Sequence, residues 1–143
     1  MAYDPCWEIE GSLARPSRPG YPGKSVSPQE VDDWLRKVNS LGVKSIICLL
    51  SEEQLGFYSR VPDGLLSYYR KHGFSVERIG ITDPAGNPEG WQELEARLPQ
   101  IYEAFKSLPK PVLVHCSAGC DRTGKAVEYV KARLAEESNN ESG

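Results

Sequence analysis

The chain has 143 residues, which is the usual size of one domain and too short for two independent cores. Apolar residues make up 39% of it and charged residues 26%, a globular rather than a disordered composition. The formal net charge of −3 argues against general nucleic-acid binding, because neutralising a run of phosphates requires a surplus of Lys and Arg. Apolar runs are far shorter than the roughly 20 residues that cross a bilayer, so we expect a cytoplasmic protein with no membrane span.

The first third of the chain predicts a strand, a helix and a second strand. Residues 7–14 are typical of an edge strand, and the Pro- and Gly-rich residues 15–23 that follow are typical of a surface loop. Ser27-Pro-Gln-Glu30 is a capping box with Pro at the first helical position, and apolar residues then recur at helical spacing up to Gly42. Residues 43–50 form a continuous apolar run, which is typical of a strand buried on both faces.

The middle of the chain repeats this alternation. Residues 65–72 predict a helix that ends at Gly73, and residues 74–81 predict another strand. A Pro- and Gly-rich loop over 82–90 leads into a helix that Asn87 and Pro88 would begin. The buried stripe of that helix is predicted from apolar residues at helical spacing: Trp91, Leu94, Leu98, Ile101, Phe105 and Leu108. Pro99 lies inside it, so we expect a kink or a restart there.

A short strand over 111–115 and a closing helix to about Glu137 complete the pattern. The alternation predicts an α/β fold with a central, mostly parallel sheet of four to five strands flanked by helices. We expect one domain over residues 1–143, with an N-terminal strand and loop over 1–24 and a flexible tail over 138–143.

The stretch His115-Cys-Ser-Ala-Gly-Cys-Asp-Arg-Thr-Gly124 joins the last predicted strand to the closing helix. A loop in that place points backbone N–H groups at one spot, where the helix dipole adds partial positive charge, and so predicts a phosphate site. The same field favours the thiolate of Cys116, which is the nucleophilic form. The planar fork of Arg122 suits two phosphate oxygens, and Gly119 and Gly124 allow close backbone approach.

This stretch resembles the signature of the protein tyrosine phosphatase superfamily: His-Cys, five residues, Arg, Ser or Thr, and Gly. The resemblance implies the cysteine-based phosphatase fold, with Cys116 as nucleophile and Arg122 as the phosphate clamp. It also implies that Thr123 hydrogen-bonds the cysteine sulfur and that His115 and Gly124 support the loop. The phosphate would be held by Arg122 and by the loop residues Ser117, Ala118, Gly119, Cys120 and Asp121; we expect the Asp121 side chain to point outward.

A general acid is needed to protonate the departing oxygen. In the compact dual-specificity branch of the superfamily, which includes archaeal and bacterial members, an Asp some thirty residues before the Cys supplies that proton. Asp83 lies 33 positions before Cys116 (116 − 83), in a loop that leads into a helix. Asp63, in Val-Pro-Asp-Gly, lies much farther upstream and is the weaker candidate.

The resemblance therefore implies a phosphatase that acts on phosphotyrosine, and on phosphoserine or phosphothreonine, in proteins or peptides. It needs neither a cofactor nor a metal, and the sequence does not specify an oligomeric state. An enzymatic alternative is a phosphatase of phosphoinositides or other small phosphate esters, although the basic loop residues of such enzymes are missing. The alternative of another class is a catalytically silent phosphopeptide-binding module, which would normally have lost the Cys or the Arg.

Two further sets of residues have a structural and a functional interpretation. Cys48, at the end of a strand expected beside the signature strand, is either a small buried residue or a redox partner of Cys116; Cys120 is a second possible partner. The basic residues are either contacts for an acidic substrate or solvated surface charge, and we favour the latter: Arg15, Arg18, Lys24 and Lys125.

Overall fold

The computed structural model describes residues 3–142. The strands of this part are β1 (Cys6–Ile9), β2 (Leu13–Arg15), β3 (Ser45–Cys48), β4 (Ser75–Arg78) and β5 (Val112–His115). The helices are α1 (Pro28–Ser40), α2 (Glu52–Leu55), α3 (Leu65–Lys71), α4 (Gly90–Ser107) and α5 (Asp121–Ser142), with a 3-10 turn at Gly56–Tyr58.

The strands form one sheet in the order β1-β2-β5-β3-β4. Strands β2, β5, β3 and β4 are parallel, and β1 is antiparallel to β2 at the edge. The predicted mostly parallel α/β sheet is therefore confirmed. Because the four parallel strands end at the same edge, the segments that follow them meet there, which is where open α/β sheets bind ligands.

Helices cover both faces of the sheet, and the side chains of β3 alternate between the two. Ile46 and Cys48 belong to the apolar cluster that contains the buried residues of α1 and α3. Ile47 belongs to the cluster formed with α4 and α5. A strand that is buried on both faces is apolar at successive positions, which is why the apolar pattern predicted β3 correctly.

Helix α1 begins as its sequence predicts. The Ser27 side chain accepts a hydrogen bond from the Glu30 backbone N–H, the Glu30 side chain accepts one from the Ser27 backbone N–H, and Pro28 stands in the first turn. The buried side is formed by residues at helical spacing: Val31, Trp34, Leu35 and Val38. This helix packs its apolar stripe on the sheet and also brings Trp34 towards the candidate site.

Several local predictions are wrong. Residues 7–14 are not one strand but parts of the hairpin of β1 and β2, whose turn contains Gly11 at φ +74°. Regular helix α4 begins at Gly90, and the Asn87 side chain accepts a hydrogen bond from the Glu89 backbone N–H at 3.1 Å in the turn that leads into it, as a capping residue does; the helix continues through Pro99 without the restart. Trp91 is 41% exposed instead of belonging to the buried stripe, because it lies in the first turn, at the margin of the packed surface.

The tail prediction is wrong as well. Helix α5 continues past Glu137 to Ser142, so residues 138–142 are helical instead of loose; Gly143 lies outside the described residues, as do residues 1 and 2 of the N-terminal segment. Contact with α4 extends to this end of the helix, where Lys106 Nζ lies 3.3 Å from Glu137 Oε1. A packed neighbour stabilises helical turns that the local sequence alone would leave marginal.

Candidate active site

The signature loop lies between the central strand β5 and the N-terminus of α5. Cys116 follows β5 directly and is only 2% exposed, and Arg122, in the first turn of α5, is 1% exposed. Gly119 adopts φ +87°, a left-handed conformation that glycine reaches at little cost. Residues 116–120 therefore curl from the end of a strand to the positive end of a 22-residue helix.

The loop is held from outside by residues 15–18, here called the bracing segment. Arg15 Nη2 donates to the Gly119 carbonyl, and Ser17 Oγ donates to the Ala118 carbonyl at 2.6 Å. The Arg18 backbone N–H donates to the Ser117 carbonyl at 2.8 Å. Three successive loop carbonyls are thus bonded outward. With these carbonyls held on the far side, the loop N–H groups are left for the inner side, which is the arrangement an anion site needs.

His115 supports the loop in a defined protonation state. Its Nδ1 lies 2.9 Å from the Cys116 carbonyl, which only accepts hydrogen bonds, so Nδ1 carries the hydrogen. Its Nε2 then accepts from the Tyr69 hydroxyl at 2.9 Å. Burial lowers the pKa of His115 to about 4, so the imidazole is neutral at physiological pH. The predicted supporting position of His115 is consistent with this geometry, and Tyr69 is a partner that sequence analysis missed.

The Arg122 side chain is hydrogen-bonded to the segments that follow two strands of the sheet, β3 and β4. Its Nη1 donates to the Ile81 carbonyl at 2.8 Å and to the Leu49 carbonyl at 3.2 Å, and its Nη2 lies 3.2 Å from Asp83 Oδ2. The guanidinium is thus fixed between the segments that follow β3 and β4. The structure brings Arg122 and Asp83, 39 positions apart in the chain (122 − 83), into direct contact.

Gln54 connects these two side chains. Its Oε1 accepts from Arg122 Nη1 at 2.9 Å, and its Nε2 donates to Asp83 Oδ2 at 2.9 Å. Gln54 is positioned by a second capping box, in which Ser51 begins the short helix α2 at the end of β3. Sequence analysis missed it, although the Ser51–Gln54 spacing after a buried strand was a usable signal.

Asp83 lies in the loop that follows β4, as predicted. Its Oδ1 accepts from the Ala85 backbone N–H at 3.0 Å, which fixes the carboxylate in a local turn. Asp63 has positive φ and pairs with Lys71 on the surface, so the structure does not bring it to the loop. Its pKa is lowered by the hydrogen bond and charge of Lys71, as expected for a surface ion pair.

A cavity of about 800 Å³ lies above this cluster, and its wall includes Asp83, Gln54, Ser117 and Arg18. Cys116 and Arg122 are not among the residues that line it; they lie directly behind Ser117 and Asp83. Asp83 and Gln54, which contact Arg122, are part of the cavity wall. The resemblance implies that both side chains contact the phosphate, but neither of them is part of the cavity wall.

One predicted contact of the loop is not formed, and of the two interpretations of Cys48 the structure agrees with that of a small buried residue. Thr123 Oγ1 is buried and has no hydrogen-bond partner among the described residues, so its predicted bond to the cysteine sulfur is not formed. Cys48 belongs to the cluster on the α1 and α3 face, whereas Cys116 belongs to the cluster on the opposite face. Both are free thiols, and burial raises the pKa of Cys48 to about 12. The Cys48 thiol therefore favours its protonated form, and a redox role for this residue stays a prediction.

The outer loop residues point away from the cavity. Cys120 is exposed and its Sγ lies 3.0 Å from the Tyr3 hydroxyl, and Asp121 is exposed in the first turn of α5, as expected. Among the basic residues, Arg15 pairs with Glu8 at 3.1 Å, but Arg18 is 3% exposed. The prediction of solvated surface charge is thus wrong for Arg18, because aromatic side chains and the loop enclose it.

Two other features are absent from the part of the chain that the structure describes. Within residues 3–142, no cluster of three or more His, Cys, Asp and Glu side chains is arranged to hold a metal ion. None of the helices in the same range is long and apolar enough to cross a bilayer.

The fold class defined above, a mostly parallel sheet with a Cys-and-Arg loop between its central strand and a helix, is that of cysteine-based phosphatases. A family model described as the tyrosine phosphatase family matches residues 88–136, which include α4, β5, the loop and most of α5. The matched segment contains 49 of the 143 residues (136 − 88 + 1), about a third of the chain, and it includes the whole Cys-and-Arg loop.

One solved structure with a similar fold is the core catalytic domain of the PP-IP phosphatase SIW14 from S. cerevisiae, in complex with citrate. The TM-score is 0.50 and the sequence identity 24%, over 85% of this chain and 61% of that one. This chain thus spans less than two thirds of the length of that catalytic domain, and the likeness concerns the fold. None of the curated proteins compared with the chain matches it.

Proposed function

We propose that this protein hydrolyses phosphate monoesters through a phosphocysteine intermediate. In the first step the Cys116 thiolate attacks phosphorus, an S–P bond forms, and the bond to the ester oxygen breaks while Asp83 gives that oxygen a proton. In the second step the Asp83 carboxylate takes a proton from water, whose oxygen attacks phosphorus, and the S–P bond breaks to release inorganic phosphate. Arg122 binds the non-bridging oxygens in both steps.

The observation that supports this proposal most is the contact between Arg122 and Asp83, which come from distant positions in the chain. Cys116 and Arg122 lie in one loop-helix turn, and Asp83 contacts Arg122 at 3.2 Å from a different strand end. A strand-to-helix turn with a Cys and an Arg would fold equally well without an Asp at its side. Gln54 acts as a positioning residue, since its side chain is hydrogen-bonded to both the carboxylate and the guanidinium.

For the substrate, we propose a phosphorylated protein or peptide, in a cytoplasmic protein of the compact dual-specificity branch. The charged residues that line the cavity are almost balanced: Arg18, Lys24 and Arg78 against Glu52, Glu53, Asp83 and Glu93. Residues 117–121 of the loop contain no basic side chain. A ligand that carries many phosphates would meet repulsion here, whereas a single phosphate on a peptide needs only the loop and one guanidinium.

A second candidate is a small phosphate ester. It is favoured by the fold likeness to SIW14, whose title describes a PP-IP phosphatase. The cavity of about 800 Å³ is large enough for such a ligand.

The test has two parts. Purified protein should hydrolyse an aryl phosphate in the presence of a chelator, and Cys116→Ser should abolish this activity, while Cys6→Ser, which removes an exposed thiol far from the loop in sequence, should retain it. Asp83→Asn should lower kcat by about 10²–10⁴-fold for a substrate with a poor leaving group. Activity that persists in Cys116→Ser, or disappears with chelation, would overturn the mechanism.

The second part compares substrates side by side. Phosphotyrosine peptides, phosphothreonine peptides, phosphoinositides and an inositol pyrophosphate are offered to the same preparation, and kcat/KM is measured for each. We expect the peptides to be preferred. A preference for the inositol pyrophosphate would replace the peptide proposal with the second candidate and leave the phosphocysteine mechanism intact.

A further inference from the structure

Arg18 is a buried cation with no carboxylate partner. It is 3% exposed, and no Asp or Glu oxygen in the described part of the chain lies within ion-pair distance of its guanidinium. Its Nε donates to Ser117 Oγ at 3.0 Å and its Nη1 to the Tyr58 hydroxyl at 3.3 Å. Burial raises the pKa of Tyr58 well above its ordinary value, so this phenol is a neutral partner and supplies no countercharge.

Such an arrangement is costly for folding alone. A buried charge without a partner of opposite sign costs several kcal/mol, and hydrogen bonds to neutral hydroxyls recover only part of this. The guanidinium carbon also lies 4.8 Å from the centre of the Phe57 ring and 5.4 Å from that of Tyr21, contacts that stabilise a cation without neutralising it. Methionine or leucine would fill the same aromatic surroundings without the electrostatic penalty.

The position of Arg18 indicates a use for its charge. It lies at the end of the bracing segment, bonded to Ser117, the residue that follows Cys116, and it lines the same cavity as Asp83. Its Nη2 makes no hydrogen bond with another described residue. Lys24, on the same loop and in the same cavity wall, is exposed and forms no ion pair among the described residues.

The other charged residues that line the cavity differ from Arg18 and Lys24. Arg78 is paired with Glu52 at 2.8 Å, Asp83 is paired with Arg122 at 3.2 Å, and the remaining two are the carboxylates of Glu53 and Glu93. Among the residues that line the cavity, the positive charge that is not neutralised by a carboxylate therefore lies on the loop that contains Arg18 and Lys24. An anionic group in the cavity would be attracted to this loop and repelled by Glu53 and Glu93.

We infer that Arg18 and Lys24 form a subsite for a second anionic group of the substrate, adjacent to the phosphate that is removed. This inference rests on the proposed phosphatase function and specifies its substrate. One free donor edge and one flexible ammonium group suit a single anion, either the carboxylate of an acidic residue next to the phosphorylated residue or a second phosphate in the same peptide. Tyr21 and Phe57 provide an apolar surface for the intervening part of the peptide.

The test measures binding without turnover, by calorimetry on the Cys116→Ser protein. Three phosphotyrosine peptides of one sequence are compared, in which the neighbouring residue is Glu, Gln or phosphoserine. We expect the Glu and phosphoserine peptides to bind about tenfold more tightly than the Gln peptide, a difference that corresponds to about 1.4 kcal/mol. The relative affinity of the Glu and phosphoserine peptides shows which anion the subsite prefers.

Added substitutions then separate recognition from support of the loop. Arg18→Gln and Lys24→Gln should each reduce the preference for the acidic peptides, whereas Arg97→Gln, which removes an exposed charge from α4, should retain it. If Arg18 only supported the loop, Arg18→Gln would weaken all three peptides by the same factor. Should Arg18→Gln fail to fold, Lys24→Gln and a decline of the preference at high salt decide the question.

Failure of this inference is distinguishable from failure of the proposed function. Equal affinity for the three peptides, in a protein whose wild type hydrolyses aryl phosphate, overturns the subsite alone. Absence of aryl phosphate hydrolysis by the wild type, with a retained preference for acidic peptides in the Cys116→Ser protein, overturns the catalytic proposal and leaves an anion-recognition site.

Discussion

The buried His115 predicts a pH dependence of stability whose sign is set by the fold. Burial lowers the pKa of His115 from an ordinary value of 6.5 to about 4 in the folded protein. Between these two pH values the unfolded chain binds a proton that the folded protein does not bind. Unfolding is therefore favoured as pH falls, and the contribution of His115 to stability is fully present only above pH 6.5.

The size of this effect on the free energy of unfolding follows from the shift in the pKa of His115. Each unit of pKa difference corresponds to roughly 1.4 kcal/mol, so the fall from 6.5 to about 4 is worth about 3 kcal/mol in total. About 2 kcal/mol of this should be lost between pH 7 and pH 5. This window lies largely above the range in which carboxylates with lowered pKa values, such as that of Glu8, begin to take up protons.

The assay is urea unfolding at pH 7 and pH 5, for the wild type, His115→Asn and His72→Asn. The chain has two histidines, and His72 is exposed, so His72→Asn is the matched control. We expect the wild type and His72→Asn to lose about 2 kcal/mol between the two pH values, and His115→Asn to lose much less, whatever its absolute stability.

A direct measurement complements the unfolding data. In the His72→Asn protein the single remaining imidazole should titrate by NMR well below pH 6, and it should report the tautomer with hydrogen on Nδ1. The reasoning is refuted if His115 titrates near its ordinary pKa in the folded protein, or if His115→Asn keeps the pH dependence of the wild type.

Three further predictions concern the loop and its neighbours. Gly119→Ala should destabilise the protein by more than about 2 kcal/mol and abolish activity, since its Cβ would lie 2.7 Å from the Pro16 carbonyl oxygen; Gly11→Ala, at a similar φ with open space around it, should cost only about 1–2 kcal/mol and retain activity in the same urea and aryl phosphate assays. Gln54→Ala should lower kcat at least about tenfold, with a smaller effect on KM, because both candidate catalytic side chains lose a hydrogen bond; an unchanged kcat would remove its positioning role. Thr123→Val should leave stability unchanged or raise it by about 1 kcal/mol, since it removes a buried hydroxyl without a partner, and should slow hydrolysis of the intermediate in burst kinetics; unchanged kinetics would exclude a role for this hydroxyl.

Much of the fold could be predicted because local signals and burial agree. The capping box at Ser27 and the apolar stripe of α1 specify one helix, and the continuous apolar run at β3 specifies a buried strand. The loop and Asp83 were identified for another reason: their residue types and spacing resemble the signature and the acid loop of a known family. The structure places Asp83 3.2 Å from Arg122.

The errors have a common physical cause, which is that they depend on contacts between distant segments. Nothing near Arg18 in the sequence shows that Phe57 and Tyr58 will enclose it. The extension of α5 to Ser142 and the exposure of Trp91 likewise depend on how α4 and α5 pack, which no local pattern specifies. Gln54 was missed because the local sequence of a capping box is the same whether or not its Gln side chain also bridges two charged residues from distant segments.

The bracing segment also has a consequence for how the molecule assembles. Its side chains reach loop residues that lie 99 to 104 positions later in the chain. Contacts of such long range form late and slow folding, because the chain loses the entropy of closing a large loop before the contacts can stabilise it. During synthesis, residues 15–18 leave the ribosome 99 to 104 residues before the loop residues that they contact. We therefore expect the contacts between the bracing segment and the loop to form last in folding, and the loop to reach its native shape only then.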